Sequence, residues 1–562
     1  MQLQAHWGGP SSRGAPPQFT SACTVHAHVQ ATAFRHASPS AHGPSHRSGS
    51  DAASSPAPVP LPDPPPLVAL DGDPPQEPRT KARVTSHRRP GIADPSTPPA
   101  ALALVRAPEV RHTPAMTELG ALLPRIETAL PGARSAALVE TLARTECPAL
   151  TARRARRAEK SGAPADPIVW AEAKGANVVD ADGNLYVDMT AGFGVAALGH
   201  AHPAIVAAVR AQAGTLLHAL GDVHPSDVKI ALLERLAAIA PFPDARVILG
   251  AHGADAVEAA LQTALLHTRK PGVVAFEGGY HGLSLGALSV CGYQAAFRAP
   301  FAPKLDAHVS FAPFPPEHGE LEASLTPVRA LLGRGDVGAV VVEPIQGRGG
   351  VRIPPEGFLA ALGALAHEHG ALLVADEIFT GLGRTGAFLR SVADGAGPDL
   401  LCLGKSLGGG LPISACLGRS ELFSGWGDPS GEALRTATFL GHPLACAAAL
   451  ASLDALEREE ANRQAEAHGE QLFDALSLAL EGAPGLRAIR GAGMLVGIEL
   501  GSGRRVLRVV RRLLERGWIT LPAGSGAEVL ELCPPLNLAS ELAEAFARTL
   551  AEVLDKERDE AT

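Results

Sequence analysis

The chain has 562 residues and a formal net charge of −9, with 46% hydrophobic and 19% charged residues. That length allows more than one domain with its own core, and the acidic balance excludes a general electrostatic grip on nucleic acid, which needs a basic domain or stripe. No charge-free apolar run marks a membrane span, and seven cysteines without a CxxC pair exclude a disulfide framework and fit reduced thiols in a cytoplasmic setting.

Residues 1–115 are rich in Pro, Ser, Ala and His and include "PAPVPLPDPPP". No helical or strand period runs through them, so this extension is expected to be disordered. Its stretch before Asp51 lacks acidic residues, as in a transit peptide, but prolines interrupt any amphipathic helix. A start of translation at Met116 is the other reading, because "MTELGALLPRIETAL" opens a helical pattern there. The basic stretch from Thr151 to Lys160 reads as a solvated helix face.

From about Val179, short β-branched runs alternate with amphipathic stretches: "RVILG" from Arg246, "GVVAF" from Gly272, "GAVVVEP" from Gly338, "ALLVAD" from Ala371 and "DLLCLGK" from Asp399. The alternation predicts an α/β domain with a largely parallel sheet. Ligands in such domains bind beyond the carboxyl ends of the strands, so polar residues just after each run are the candidates. In the last hundred residues the pattern changes to "LRAIRGAGMLVGIELG", a basic helix, "WITLPAG", "VLELCPPL" and a closing helix from Ser540, which predicts a smaller α+β domain.

Two phosphate-loop motifs fail on inspection. "GLGRTG", Gly381–Gly386, has the spacing of a dinucleotide fingerprint, but Asp376 and Glu377 end the strand before it and would face the pyrophosphate. "LGKSLGGG" lacks the earlier glycine of a P-loop, since position 399 is Asp. What remains is Asp376 at the end of one buried strand and Lys405 at the end of the next. Pyridoxal 5'-phosphate requires such a pair: its aldehyde forms an imine with an amine, and a carboxylate keeps the pyridine nitrogen protonated so that the ring can act as an electron sink. Of the eight lysines, Lys405 alone follows a β-type apolar run and precedes a glycine-rich loop. A partly desolvated pocket would free its amine for nucleophilic attack.

Around this pair lie "GGYHG" at Gly278, "VVEPIQGRGG" at Val341, "VADEIFTGLGRTG" at Val374, "LLCLGKSLGGGLPISA" at Leu401 and "TATFLGHPLACAAAL" at Thr436. In order and spacing these resemble the class III aminotransferases, from about Cys147 to the C-terminus. The resemblance implies a fold type I transferase dependent on pyridoxal phosphate. It implies a large, mostly parallel mixed-sheet domain over 196–455 and a smaller α+β domain assembled from 116–195 and 456–562. Lys405 would carry the cofactor as a Schiff base and shuttle protons, and Asp376 would face the ring nitrogen. Tyr280 and Ile378 would lie on opposite ring faces, with His281 and Gly282 completing the tyrosine's turn. Gly253 and Ala254 would hold the phosphate at a helix N-terminus, where Asp255 also suits the dipole. Glu343 and Gln346 would lie on the hydroxyl side. Thr438 would reach the cofactor of the neighbouring subunit, so the resemblance also implies a homodimer. The turn at Arg384 is expected to be structural, with Arg384 salt-bridged. His200 and His202 have no evident acidic partner and are not expected to bind metal.

Relatives acting on amino acids often carry an arginine after the tyrosine–histidine–glycine turn and another before the C-terminal "PPL". Here those positions hold Leu283 and Glu531. Arg435 stands where a histidine is usual, and His252 where a small hydroxyl residue is common. Arg348, Arg435 or the arginines between 153 and 157 are the candidates for a carboxylate clamp. The expected reaction moves an amino group from an ω-amino acid such as 4-aminobutyrate, or from an amine, to a 2-oxo acid. An acetylornithine- or ornithine-type aminotransferase, an aminomutase or racemase on the same fold, and a non-catalytic binding module are the alternatives.

Overall fold

The structure is a computed structural model, and it describes residues 119–148, 159, 167–427 and 431–559. The extension 1–115, Met116 and the arginines at 153–157 lie outside the described residues.

Fifteen strands are described: β1 (Trp170–Lys174), β2 (Asn177–Asp180), β3 (Leu185–Asp188), β4 (Ala245–Gly250), β5 (Gly272–Phe276), β6 (Val309–Ala312), β7 (Val337–Val342), β8 (Leu372–Asp376), β9 (Leu400–Leu403), β10 (Ser414–Arg419), β11 (Ala488–Ala492), β12 (Leu495–Glu499), β13 (Trp518–Ile519), β14 (Leu521–Ala523) and β15 (Val529–Leu532). Seven of them form the central sheet, in the order β4-β10-β9-β8-β7-β5-β6. The pairs from β6 through β9 are parallel, whereas β10 runs antiparallel to both β9 and β4. The five runs named from sequence are β4, β5, β7, β8 and β9. β6 and β10 are additional.

Every residue of β7 and β8 is buried, as befits parallel strands covered on both faces. The two-residue period of β7 divides its valines. Val340 and Val342 join a core with Phe276, Phe358 and Leu362, while Val341 joins another with Val257, Ala260 and Val374. The first core lies under the helix Phe358–Glu368 and the second under Gly253–Thr268. The latter buries Ala256, Ala259, Ala260 and Ala264, small side chains that bring its axis close to the sheet and fix its N-terminus beside the strand ends.

Segments from early and late in the described chain meet in a second sheet, β1-β2-β3-β13, where Trp518 and Ile519 of β13 pair in parallel with Val187 and Asp188 of β3. A third, antiparallel sheet of order β11-β12-β15-β14 packs with the helices Ala461–Ala479, Gly503–Glu515 and Ser540–Asp559. One expectation fails here: residues 119–130 are not helical. Asn177 Oδ1 accepts from the Gly120 and Leu122 N–H groups at 2.9 and 2.8 Å, and Asn184 Oδ1 from Glu127 and Thr128 at 2.8 and 3.0 Å. Those side chains take the donors that a helix would need, and Pro124 would break its ladder. The helix begins later, at Ala133.

Candidate active site

β8 and β9 are neighbours in register, with Asp376 opposite Cys402. Asp376 therefore closes one strand while Lys405, two residues past Leu403, opens the short 3-10 turn Lys405–Gly408. Lys405 has φ +42°, a conformation that costs a non-glycine residue about 1–2 kcal/mol. Two buried hydroxyls fix the following turn: Ser406 Oγ donates to the Gly194 carbonyl at 3.1 Å, and Ser452 Oγ donates to the Ser406 carbonyl at 2.8 Å.

Asp376 is itself held from two sides. Its Oδ2 lies 2.7 Å from His281 Nδ1, and its Oδ1 accepts from the Ile378 N–H at 3.1 Å. Both Asp376 and His281 are buried, and His281 Nε2 has no hydrogen-bond partner among the described residues. The carboxylate hydrogen-bonds Nδ1 and so orients the imidazole, leaving Nε2 the free ring nitrogen.

Glycine permits the remaining convergence. A Cβ on Gly282, at φ +121°, would lie 2.7 Å from Ala254 Cβ, so only glycine lets the tyrosine–histidine–glycine turn rest on the helix Gly253–Thr268. A Cβ on Gly253 would lie 2.9 Å from Ile378 Cδ1. Gly253, Ala254, His281, Asp376, Ile378 and Lys405 are thereby drawn to one end of the sheet. The N–H groups of Gly253 and Ala254 belong to the first helical turn and have no intrahelical acceptor, whereas Asp255 accepts from Ala251 and His252 at 2.8 and 3.1 Å.

Glu343 Oε1 accepts from the Tyr280 N–H at 2.7 Å, and its Oε2 from Gly347 at 3.3 Å. Gln346 braces a loop, donating to the Glu277 carbonyl at 2.9 Å and accepting from Arg352 at 3.2 Å. Tyr280 is half-buried, meets Tyr293 edge-on at 6.1 Å and carries the Arg348 guanidinium 4.6 Å above its ring. Thr438 stands apart from this cluster, exposed in the turn before the helix Pro443–Arg458.

Burial sets the electrostatics. The Lys405 amine lies deep although part of its side chain opens on the cleft, and burial lowers its pKa despite the opposing charges of Asp376, Glu343 and Glu531. Burial alone would lower His281 as well, but the Asp376 hydrogen bond and charge hold it above the ordinary histidine value. Glu343 is pushed up to about 7 by burial and by Asp376, against His281 and the Tyr280 N–H. Glu531 is also pushed up to about 7 by burial, against the charges of Lys405, Arg348 and Arg384.

Two sequence expectations need correction. Arg384 is fully buried, but it forms no ion pair among the described residues: Nη1 donates to the carbonyls of Met494 and Pro534. It bridges backbone segments at the turn, where unpaired carbonyls would otherwise be desolvated. His200 and His202 do have acidic partners, separate ones, Asp188 at 2.9 Å and Glu459 at 3.1 Å. Asp188 closes β3 and Glu459 follows the helix Pro443–Arg458, so neither adjoins its histidine in the sequence, and no group of three candidate metal ligands occurs among the described residues. Sequence reasoning also passed over Phe379, whose ring lies 4.2 Å below Lys405 Nζ, and Tyr293 beside Arg348 at 5.2 Å. Phe379 directly follows Ile378, so adjacency to the motif was the available signal.

Residues 159–554 match the aminotransferase class-III family. The chain belongs to the class III aminotransferases. It is 36% identical over 388 residues to an acetylornithine aminotransferase of Methanopyrus kandleri, covering 69% of this chain and 94% of that one. Among solved structures, the ornithine aminotransferase of Toxoplasma gondii is 32% identical, with a TM-score of 0.64 over 70% of this chain and 92% of that chain. An amine transaminase from an uncultivated Pseudomonas species, in a form with bound pyridoxal phosphate, is 29% identical, with a TM-score of 0.65 over 70% and 95% of the two chains. The protein is thus a transaminase of fold type I that uses pyridoxal phosphate. The strand-end residues fit that group, with a deep amine on Lys405, a buried carboxylate on Asp376 and a helix N-terminus at Gly253 shaped for an anion.

Proposed function

We propose that this aminotransferase moves an amino group from an amine or ω-amino acid to a 2-oxo acid, with Lys405 as the covalent anchor and proton carrier. The observation that carries this reading is the deep Lys405 amine, whose pKa burial lowers, beside the buried Asp376–His281 pair. When bound, pyridoxal phosphate supplies an electron sink for the donor's carbanion. Asp376 would hold a proton at the ring nitrogen, and His281 fixes Asp376. Lys405 Nζ, once displaced by the donor's amine, would move the proton between donor carbon and cofactor carbon. The first-turn N–H groups of Gly253 and Ala254 would bind the phosphate, Tyr280 and Ile378 would confine the ring, and Glu343 and Gln346 would lie on its hydroxyl side.

Of the two clamp candidates among the described residues, Arg348 is the better placed for an acceptor's carboxylate. Its guanidinium makes no hydrogen bond or ion pair among the described residues and rests on Tyr280 and Tyr293. Arg435 is engaged elsewhere, donating to Gln262 at 2.8 Å and to the Asp255 carbonyl at 2.9 Å.

We also propose a cytoplasmic homodimer in which Thr438 serves the neighbouring subunit's cofactor. Thr438 is exposed, as are the adjoining Leu434 and Phe439, the latter at 61%. Large apolar side chains exposed together suit a partner's surface.

The test is spectroscopic and chemical. Purified protein should show a cofactor band that borohydride traps on Lys405, and Lys405→Ala should keep its fold but lose the trapped adduct. A donor and acceptor screen should then show 2-oxo acid consumption matched by a carbonyl product. A trapped cofactor on another lysine, or an isomerised product with no 2-oxo acid consumed, would overturn the reading.

A further inference from the structure

β15 presents alternate residues to opposite sides. Leu530 and Leu532 enter the large core, so Val529, Glu531 and Cys533 face the other way. On that side Cys533 packs with Ile345 and Val351, and Phe379 lies against the same cluster. Phe379 is also the ring beneath Lys405 Nζ. Glu531 thus occupies the wall of the cleft that leads to the reacting lysine.

Glu531 is 7% exposed as a residue, its carboxylate makes no hydrogen bond or ion pair among the described residues, and its oxygens are not sealed from the cleft. A carboxylate in so enclosed a cleft is costly to ionise, and a cation entering the cleft offsets that cost. Lys405, Arg348 and Arg384 act on Glu531 through charge alone, and Arg348 rests on Tyr280 and Tyr293 instead of pairing with it. The cleft therefore displays a carboxylate and a guanidinium that are kept apart, which is an arrangement able to take two ligand groups of opposite sign.

We propose that Glu531 receives the second, non-reacting ammonium group of a diamine-class donor. An arginine stands at this position in many relatives and would attract a carboxylate. A glutamate there repels a carboxylate and pairs with a cation through charge-assisted hydrogen bonds. The donor's second ammonium supplies the partner that the fold withholds from Glu531, while Arg348 is left for the acceptor's carboxylate. This assignment rests on the transaminase reading of the same site and narrows its donor to amines bearing a second cation.

The test uses the holoenzyme and three donors of matched length: 1,5-diaminopentane, 1-aminopentane and 5-aminopentanoate. Conversion of the lysine-bound cofactor band is followed in single turnovers, and 2-oxo acid consumption in steady state. The expected result is a kcat/KM for the diamine about tenfold or more above that of the monoamine, with 5-aminopentanoate the poorest donor. Glu531→Gln should bring the diamine-to-monoamine ratio towards one, mainly by raising KM for the diamine, and Glu531→Arg should favour 5-aminopentanoate. Circular dichroism and the intact cofactor band establish that each variant is folded. Equal rates for diamine and monoamine in the parent enzyme, or an unchanged ratio in Glu531→Gln, overturn the Glu531 assignment and leave the transaminase reading standing. An equal fall in kcat for all three donors in Glu531→Gln also overturns it, because that result marks a proton-transfer role. Failure of every donor and acceptor to alter the cofactor band overturns both.

Discussion

His281 Nδ1 lies 2.7 Å from Asp376 Oδ2, and both side chains are buried at the carboxyl end of the central sheet. The pair joins the turn after β5 to the end of β8, so the residue proposed to face the cofactor's ring nitrogen has its orientation set by a residue distant in sequence. His281→Ala should leave Asp376 without this partner and cost about 1–3 kcal/mol in the cofactor-free protein. The charge-dependent part of this loss has a definite sign. Asp376 raises the folded pKa of His281, so that part is fully present below about 6.5 and fades as pH rises through the folded value. Urea unfolding at several pH values measures it, and equal stability of variant and parent at pH 5.5 would show that the pair contributes nothing.

Gly282→Ala tests the contact between the tyrosine turn and the helix Gly253–Thr268, the proposed phosphate site. The added methyl would meet Ala254 Cβ at 2.7 Å, from a backbone at φ +121° that alanine disfavours. We expect a loss of about 1–3 kcal/mol from overpacking and strain, together with weaker binding of pyridoxal phosphate. Thermal unfolding and cofactor titration report the two effects. A variant that binds the cofactor like the parent would separate the turn from the phosphate site.

Glu531→Gln should change the pH dependence of stability in the cofactor-free protein. The carboxyl faces Lys405, Arg348 and Arg384, with Cys533 also near, and burial raises it to about 7 from an ordinary value near 4.5. A raised acid pKa means that the folded state bears the cost of ionisation above about 7 and none below about 4.5. The variant should therefore be more stable than the parent at pH 8, by at most on the order of 3 kcal/mol, and the gain should vanish towards pH 4.5. Parallel stability curves would contradict the burial of an ionised Glu531.

Gly469→Ala examines the fold away from the site. Its methyl would lie 2.3 Å from the Gly493 carbonyl oxygen, where the helix Ala461–Ala479 touches the turn between β11 and β12. Backbone cannot yield as a flexible side chain does, so a loss of about 2 kcal/mol or more is expected. The cofactor band should persist in the folded fraction, as followed by chemical denaturation with absorbance detection.

The local words of the sequence were enough to name Lys405 and Asp376, because an apolar run ending in a charged residue marks a strand end whatever surrounds it. The same local signal named β4, β5, β7, β8 and β9, whose buried runs are long and β-branched. It passed over β10, "SACLGR", whose residues favour a strand weakly and which is held as one by antiparallel partners on both sides. Residues 119–130 were misread for the complementary reason: their pattern is helical, but Asn177 and Asn184 take their backbone donors. Arg384 was expected to meet a carboxylate and meets carbonyls, since its partners Met494 and Pro534 arrive from the far end of the chain.

By itself, then, the sequence determined the α/β class through periodicity, and its short motifs carried the family resemblance and singled out Lys405 as the lysine proposed to hold the cofactor. Only the tertiary structure decided that His281 orients Asp376, that Phe379 lies under Lys405, and that Glu531 makes no hydrogen bond or ion pair among the described residues while Arg348 rests on Tyr280 and Tyr293. Each of those depends on burial or on contacts between segments far apart in the chain, and neither is encoded in local spacing.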